Sequence, residues 1–503
     1  MRIVDVKVFV VGNPPPHFGG RYFIFLKLVT DGGVEGVGEV YSVPFHPRVV
    51  ARMIEDVCAR HIIGADPFKI ERLWRIVYSS GYTQRPDTSL MGILSGIEMA
   101  CWDIVGKALN KPVYELLGGQ VHDRLRSYTY LYPEDGDRSD VYRDPELAGE
   151  RAVDYVAKGF TAVKFDPVGP YSAFDPRQLS LEALEHAERF VKTVREAVGG
   201  GCDLLFGSHG QMTAAGAIRL AKRLEPFDPL WFEEPTPPEK PEEMARVARH
   251  TSIPIATGER LATKYEFARV LETRAASILQ MALGRVVGLL EAKKIAGMAE
   301  AHYAQIAPHL YCGPVEGAAN IQISACSPNF LILESIQTWA GFHAEILKEP
   351  IRWEDGYVIP PTAPGLGVEL NEEVAARHPY TGEQLHLKCW TAPYSGLQWR
   401  REHRRCPTHP LTQRPLPGSI PRLSGCGSSW SGCASVPVAC DEQVGLPRVR
   451  QNINLWSLTG SSSGSCDRGN PPRVLGPQIL APALGPGRGR IPRVSWTIEH
   501  RTS

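Results

Sequence analysis

The chain has 503 residues, 43% hydrophobic and 22% charged, enough for two to four domains or one large α/β unit with an appendage, and too apolar for wholesale disorder. Its 55 basic and 55 acidic residues cancel, so no global field favours nucleic acid or a membrane, yet residues 391–503 hold 14 Arg, no Lys and 5 acids, which leaves 1–390 acidic. The N-terminus lacks the layout of a secretory signal, no run of 18 apolar residues predicts a membrane span, and eleven cysteines without a CxxC pair fit reduced cytoplasmic thiols rather than a zinc site or disulfide framework.

Residues 3–11, 22–30 and 34–40 alternate as a three-stranded meander, with a loop at 14–20 and a tight turn at Asp31-Gly32-Gly33. Stretches 47–60, 67–79 and 89–109 carry apolar residues at helical spacing, and Gly118-Gly119 closes the region past a helix end. Residues 1–125 therefore read as an α+β domain.

From 126 the texture changes. Short β-branched runs at 127–132, 162–165, 203–206, 230–232, 253–256, 277–280, 305–307 and 330–333 alternate with amphipathic helices, among them 213–224, 241–250, 264–273 and 286–302. Eight strands separated by helices over 126–340 predict a (β/α) barrel. The residues closing these strands include Lys164, Gly207, Glu233, Glu259, Ala282, His309 and Glu334. From Gly207 onward they recur at steps of 26, 26, 23, 27 and 25. In a barrel that period gathers them around one mouth, where such enzymes keep their chemistry.

Residues 341–390 resume short strands, with a hairpin signal at Asp355-Gly356. The Pro-, Gly-, Ser- and Arg-rich stretch 391–503 has no sustained period and reads as a disordered tail. Its missing lysines fit translation in an altered frame past a C-terminus near 380–390; a basic arm for polyanions is the alternative. Neither aromatic interleaving nor a folded reader supports nucleic-acid binding.

Glu233 and Glu259 end adjacent strands one barrel step apart, which suits a hard divalent cation such as Mg²⁺. Taken singly, either acid would be a buried partner of Arg260 or a lysine. His309, in Ala307-Pro308-His309, is placed to act as a base toward a carbon acid, and otherwise is a structural residue. His209, in Gly207-Ser208-His209-Gly210, is a second acid/base group, a metal ligand or a cap.

Over residues 1 to about 380 the chain resembles the enolase superfamily, in its mandelate racemase and muconate lactonizing enzyme branch. The resemblance rests on Trp102-Asp103-Ile104-Val105-Gly106-Lys107, Leu116-Leu117-Gly118-Gly119, Phe232-Glu233-Glu234-Pro235, Gly258-Glu259-Arg260 and Pro364-Gly365-Leu366-Gly367-Val368. Gly258-Glu259-Arg260, Ala307-Pro308-His309 and His209 look most like the galactonate dehydratase-type sugar-acid dehydratases. The resemblance implies a modified (β/α)7β TIM-type barrel under an α+β capping domain, with residues 341–390 returning to the cap. It implies a lyase that removes the proton α to a carboxylate and eliminates the β-hydroxyl with the help of Mg²⁺ or Mn²⁺.

By position, Glu233 and Glu259 match metal ligands, His309 the base, and Glu334 the acid that holds the substrate carboxylate. Lys164 matches the first residue of a Lys-x-Lys motif whose second place holds Asp166; Lys164 and Arg260 are expected to bind substrate. Two departures stand out: Gly207 replaces an expected Asp ligand, and Ala282 an Asp that would orient the strand-seven His. His209 is offered as the substitute ligand and as the acid for the leaving hydroxyl, its imidazole suiting Mn²⁺ better than Mg²⁺. Racemisation or epimerisation, cycloisomerisation, and a catalytically impaired homologue are the alternatives. We expect a small-molecule acid-sugar substrate chosen by cap loops 14–20 and 43–47, a homo-oligomer, and no nucleic-acid or membrane partner.

Overall fold

In the computed structural model of the chain the described residues are 1–41, 44–387 and 389–393. The tail expected at 391–503 lies outside them except for its first three residues, and residue 43 of the second cap loop lies outside them too.

Strands β1 (Ile3–Gly12), β2 (Tyr22–Thr30) and β3 (Glu35–Glu39) form the antiparallel meander, with Val8 opposite Leu26 and Phe25 opposite Glu39. The central strand β2 is buried almost throughout, which explains its near-continuous apolar run. Helix Thr88–Leu109 lies across β3 at close range: a Cβ at Gly36 or Gly38 would run into the helix backbone at Ala100 or Gly96. Asp87 caps that helix by accepting the Leu90 N–H at 2.8 Å, and Asn110 ends it in the left-handed conformation. Its length and composition would suit a membrane span, which no apolar run had predicted. Here it is the core helix of the cap, buried against the meander, helix Ile70–Tyr78 and helix Gly288–Ala301.

The barrel strands are β4 (Leu125–Tyr130), β5 (Ala162–Phe165), β6 (Asp203–Phe206), β7 (Trp231–Glu233), β8 (Ile255–Thr257), β9 (Ile278–Leu279), β10 (Gln305–Ile306) and β11 (Leu333–Ser335). Neighbours pair in parallel in chain order, and β11 returns to pair with β4. A bridge between Ile306 and Phe330 spans the remaining gap. Seven helices join the eight strands, giving the (β/α)7β order. Tyr128, Ala162, Leu205, Trp231, Ala256, Ile278, Ala307 and Ile332 fill the interior, so the barrel is a packed core, and the charged side chains gather at the C-terminal strand ends.

Several strand bounds shift from the sequence reading. The eighth strand begins at Leu333, paired with Ser127, and not at 330, so Glu334 lies inside the strand. The first barrel strand is drawn back to 125–130 because hairpin β12 (Trp353–Glu354) and β13 (Tyr357–Val358) adds antiparallel to its start. Asp355 and Gly356, at φ +46° and +85°, make the hairpin turn. The chain then returns to the cap, where the Tyr380 N–H donates to Val10 O at 3.0 Å.

Candidate active site

Each side chain at the mouth is placed by a strand end. Glu233 is the last residue of β7 and is fully buried. Trp231 Nε1 and Gln280 Nε2 donate to its Oε2 at 3.1 and 2.6 Å, which aims Oε1 elsewhere. The Lys164 ammonium, from β5, stands 2.7 Å from that Oε1 and 3.5 Å from Glu334 Oε1. Glu334 Oε2 accepts the Leu310 N–H at 2.8 Å. Glu259, two residues past β8, has its Oε2 3.4 Å from His309 Nε2. His209 sits in the loop after β6 at φ +49°, with Nδ1 2.9 Å from Asp166 Oδ2.

Six of the seven residues singled out by sequence thus form one buried, charged cluster: Lys164, His209, Glu233, Glu259, His309 and Glu334. Arg260 stands beside it, but its Nε and Nη2 lie 2.8 and 2.7 Å from Glu234 Oε2. Glu234, the second acid of the pair after β7, is therefore a partner for Arg260, and Glu233 is the acid that faces the cluster.

Asp166 was missed as a site residue. The available signal was the two-residue period of β5, which puts positions 164 and 166 on the same face. Gln280 was missed as well, because nothing in a lone glutamine after a strand marks it as the anchor of a carboxylate two strands away.

The two histidines are driven apart electrostatically. Burial works to lower both. At His209 it is outweighed by the Asp166 hydrogen bond and the charges of Glu259, Asp166 and Glu233, which lift the imidazole to about 9. At His309 burial prevails, aided by Lys164 and Arg285 against Glu259, and the imidazole falls to about 4. Ala282 bridges His309 through backbone only, and His309 Nδ1 has no hydrogen-bond partner. Burial would raise Glu259, but His309, His209, Lys164 and Arg260 hold it well below the usual carboxylate range. Burial also pushes Glu334 up, with Lys164 opposing.

His209, Glu233 and Glu259 each offer one donor atom, all within 4.8 Å of one another. Buried Glu259 Oε2 accepts no hydrogen bond, and Glu233 Oε1 faces the Lys164 ammonium, so each carboxylate turns an oxygen toward the group. Two such oxygens and an imidazole suit a divalent cation. Gly207 adds no donor; a Cβ there would have 3.2 Å to Tyr130 Oη and 3.5 Å to His209 Cε1.

Residues 16–118 match the mandelate racemase/muconate lactonizing enzyme N-terminal domain, and residues 148–374 match the enolase C-terminal domain-like family. A D-galactonate dehydratase of Ralstonia nicotianae is 39% identical over 388 residues, covering 75% of this chain and 96% of that relative. A solved structure from Labrenzia alexandrii, provisionally named a mandelate racemase/muconate lactonizing enzyme, is 65% identical with a TM-score of 0.77, covering 78% of this chain and 99% of its own. A mandelate racemase/muconate lactonizing enzyme from Sulfitobacter is 52% identical, also with a TM-score of 0.77, covering 78% and 100%. Both halves of the molecule, cap and barrel, carry the same assignment, and the chain belongs to the mandelate racemase/muconate lactonizing enzyme family of the enolase superfamily.

Proposed function

We propose that this chain is a divalent-metal-dependent sugar-acid dehydratase of the galactonate dehydratase type. The observation that carries the reading is the pair of histidines. They face the same two carboxylates with opposite protonation bias, one near 4 and one near 9. Groups driven apart in this way are suited to act as base and acid in one reaction.

Glu233 and Glu259 would hold the cation, Mg²⁺ or Mn²⁺, and His209 keeps the proton of the acid step, because an imidazole that ligates a metal is deprotonated at the ligating nitrogen. When bound, it supplies positive charge to a substrate carboxylate as the α-proton leaves. His309, neutral at pH 7, takes that proton at Nε2, and the electron pair moves into the carboxylate. Protonated His209, held by Asp166, gives a proton to the β-hydroxyl, which leaves as water as the carbon–carbon double bond forms. The resulting enol tautomerises to a 2-keto acid. Lys164 and Glu334 position the substrate's polar groups, and Arg260 braces Glu234 under the mouth. The relative named D-galactonate dehydratase supports this choice within the family.

The unpartnered Nδ1 of His309 favours a second reading, a homologue with impaired turnover. The test is a screen of the chain against acid sugars with Mg²⁺ and with Mn²⁺, reading 2-keto acid formation and α-proton exchange in deuterated water. Turnover that disappears in His309→Asn supports the dehydratase. Exchange without keto acid would move the assignment to racemisation or epimerisation, and no reaction on any acid sugar would leave the impaired homologue.

A further inference from the structure

His309 and His209 each have a tyrosine ring against them. Tyr41, from the cap, lies 5.8 Å from His309 between ring centroids, and Tyr171, from the loop after β5, lies 4.7 Å from His209. Both tyrosines are held by the end of the described chain. Tyr41 also packs 5.7 Å from the ring of His386. That imidazole is 6% exposed and stands between a cap strand and the barrel mouth, with Nδ1 3.1 Å from Tyr22 O and Nε2 2.9 Å from Tyr311 O. A Cβ at Gly20 would collide with the His386 ring, so the cap loop closes directly beneath it. Four residues later the Trp390 N–H donates to Tyr171 O at 2.9 Å, and Trp390 O accepts the Ala173 N–H at 2.8 Å. Ser172 Oγ donates to Ala392 O at 2.9 Å.

We propose that His386 and the backbone of Trp390 are positioning residues for the reaction, holding Tyr41 and Tyr171 as two walls of the substrate chamber. The proposal rests on the dehydratase reading, because it assumes that His309 and His209 face a substrate. Neither anchor touches the reacting groups. Each acts through a tyrosine, and each ties a loop or a strand end to a chain segment that follows the barrel by some 50 residues. The chamber is thus finished by a segment that contributes nothing to the barrel itself.

The test uses the full-length chain with His386→Ala, His386→Gln and Trp390→Pro. Gln keeps an N–H donor for the two carbonyls, and Pro at 390 removes the N–H given to Tyr171 together with the indole, so Trp390→Ala, which keeps the N–H, serves as its control and should stay close to wild type at 171–175. Hydrogen exchange read by mass spectrometry should rise at 13–26 and 309–313 in His386→Ala, and at 171–175 in Trp390→Pro, with His386→Gln close to wild type. With an acid sugar that turns over, KM should rise about tenfold in His386→Ala and in Trp390→Pro while kcat falls less than about threefold. Unchanged exchange at those segments, or exchange raised evenly over the barrel with KM unmoved, overturns the proposal. If no acid sugar reacts, the dehydratase reading fails, and the segment-by-segment exchange pattern still decides whether the two anchors hold these loops.

Discussion

Asp103 joins two distant sequence motifs, and its removal can be worked through from the structure. The residue is fully buried. Its Oδ2 accepts the Val37 N–H at 3.0 Å and Lys107 Nζ at 2.8 Å, and its Oδ1 accepts the Leu366 N–H at 2.8 Å. Asp103→Ala leaves two buried backbone donors without partners, at about 1–3 kcal/mol each. Lys107 retains Glu369 at 2.6 Å and the Glu35 carbonyl at 3.1 Å, so the full penalty of an orphaned ammonium does not apply. The expected loss is about 3–5 kcal/mol. Gly365 supplies the second arm of a mutant cycle. It sits at φ +77°, and a Cβ there would collide with Asp103 Oδ1 and lie 2.9 Å from Asp103 O. Gly365→Ala should therefore cost at least about 1–2 kcal/mol for the left-handed backbone alone, plus the collision. Once Asp103→Ala has removed Oδ1, the side-chain part of the collision is relieved, while the close approach to the carbonyl of residue 103 and the backbone strain stay. The double variant should be less destabilised than the sum by about 1–2 kcal/mol. Urea unfolding followed by circular dichroism, with reversibility checked, measures all four species. Additivity within about 0.5 kcal/mol, or a loss below about 1 kcal/mol for Asp103→Ala, would refute the argument that this carboxylate couples the two motifs.

His343 is buried, with Nε2 3.1 Å from Cys312 O, and burial pushes its imidazole down to about 4. Between pH 6.5 and 4 the unfolded chain takes up a proton there that the folded chain refuses, so stability falls as pH drops through that window, by about 1.4 kcal/mol per unit. His343→Gln keeps a donor and does not titrate, so its melting temperature should fall less steeply with acid than that of wild type; parallel curves would contradict this. Glu259→Gln and Glu233→Gln should each weaken Mn²⁺ binding at least about tenfold by calorimetry, because each removes one of the two carboxylates that would hold the cation. Gly207→Asp should tighten Mg²⁺ about tenfold or more, and an unchanged affinity would mean that position 207 does not face the cation. Ala282→Asp should raise the rate of α-proton exchange several-fold by giving His309 Nδ1 an acceptor. A folded variant with no gain would show that the unpartnered nitrogen does not limit the base.

Much of the architecture was readable from local pattern. The meander follows from alternation around Asp31-Gly32-Gly33, and the barrel from short apolar runs at a steady βα period that put Glu233, Glu259 and His309 at or just past strand ends. That period is a property of the chain itself, since each strand must cross the barrel and each helix must return. What local pattern left open was which acid of Glu233-Glu234 faces the mouth on structural grounds, that Asp166 serves His209, that Gln280 and Trp231 aim Glu233, and that His386 reaches back to Tyr22 and Tyr311. Apart from the Trp231 bond to Glu233 within one strand, these are contacts between residues that are strangers in sequence. Strand bounds such as Leu333 depend in the same way on a partner more than 200 residues away. Periodicity encodes which way a side chain points from its own backbone. The neighbour it meets there is decided only when the barrel closes and the cap settles, so hydrogen-bond partners and the opposed protonation of His209 and His309 belong to the tertiary structure.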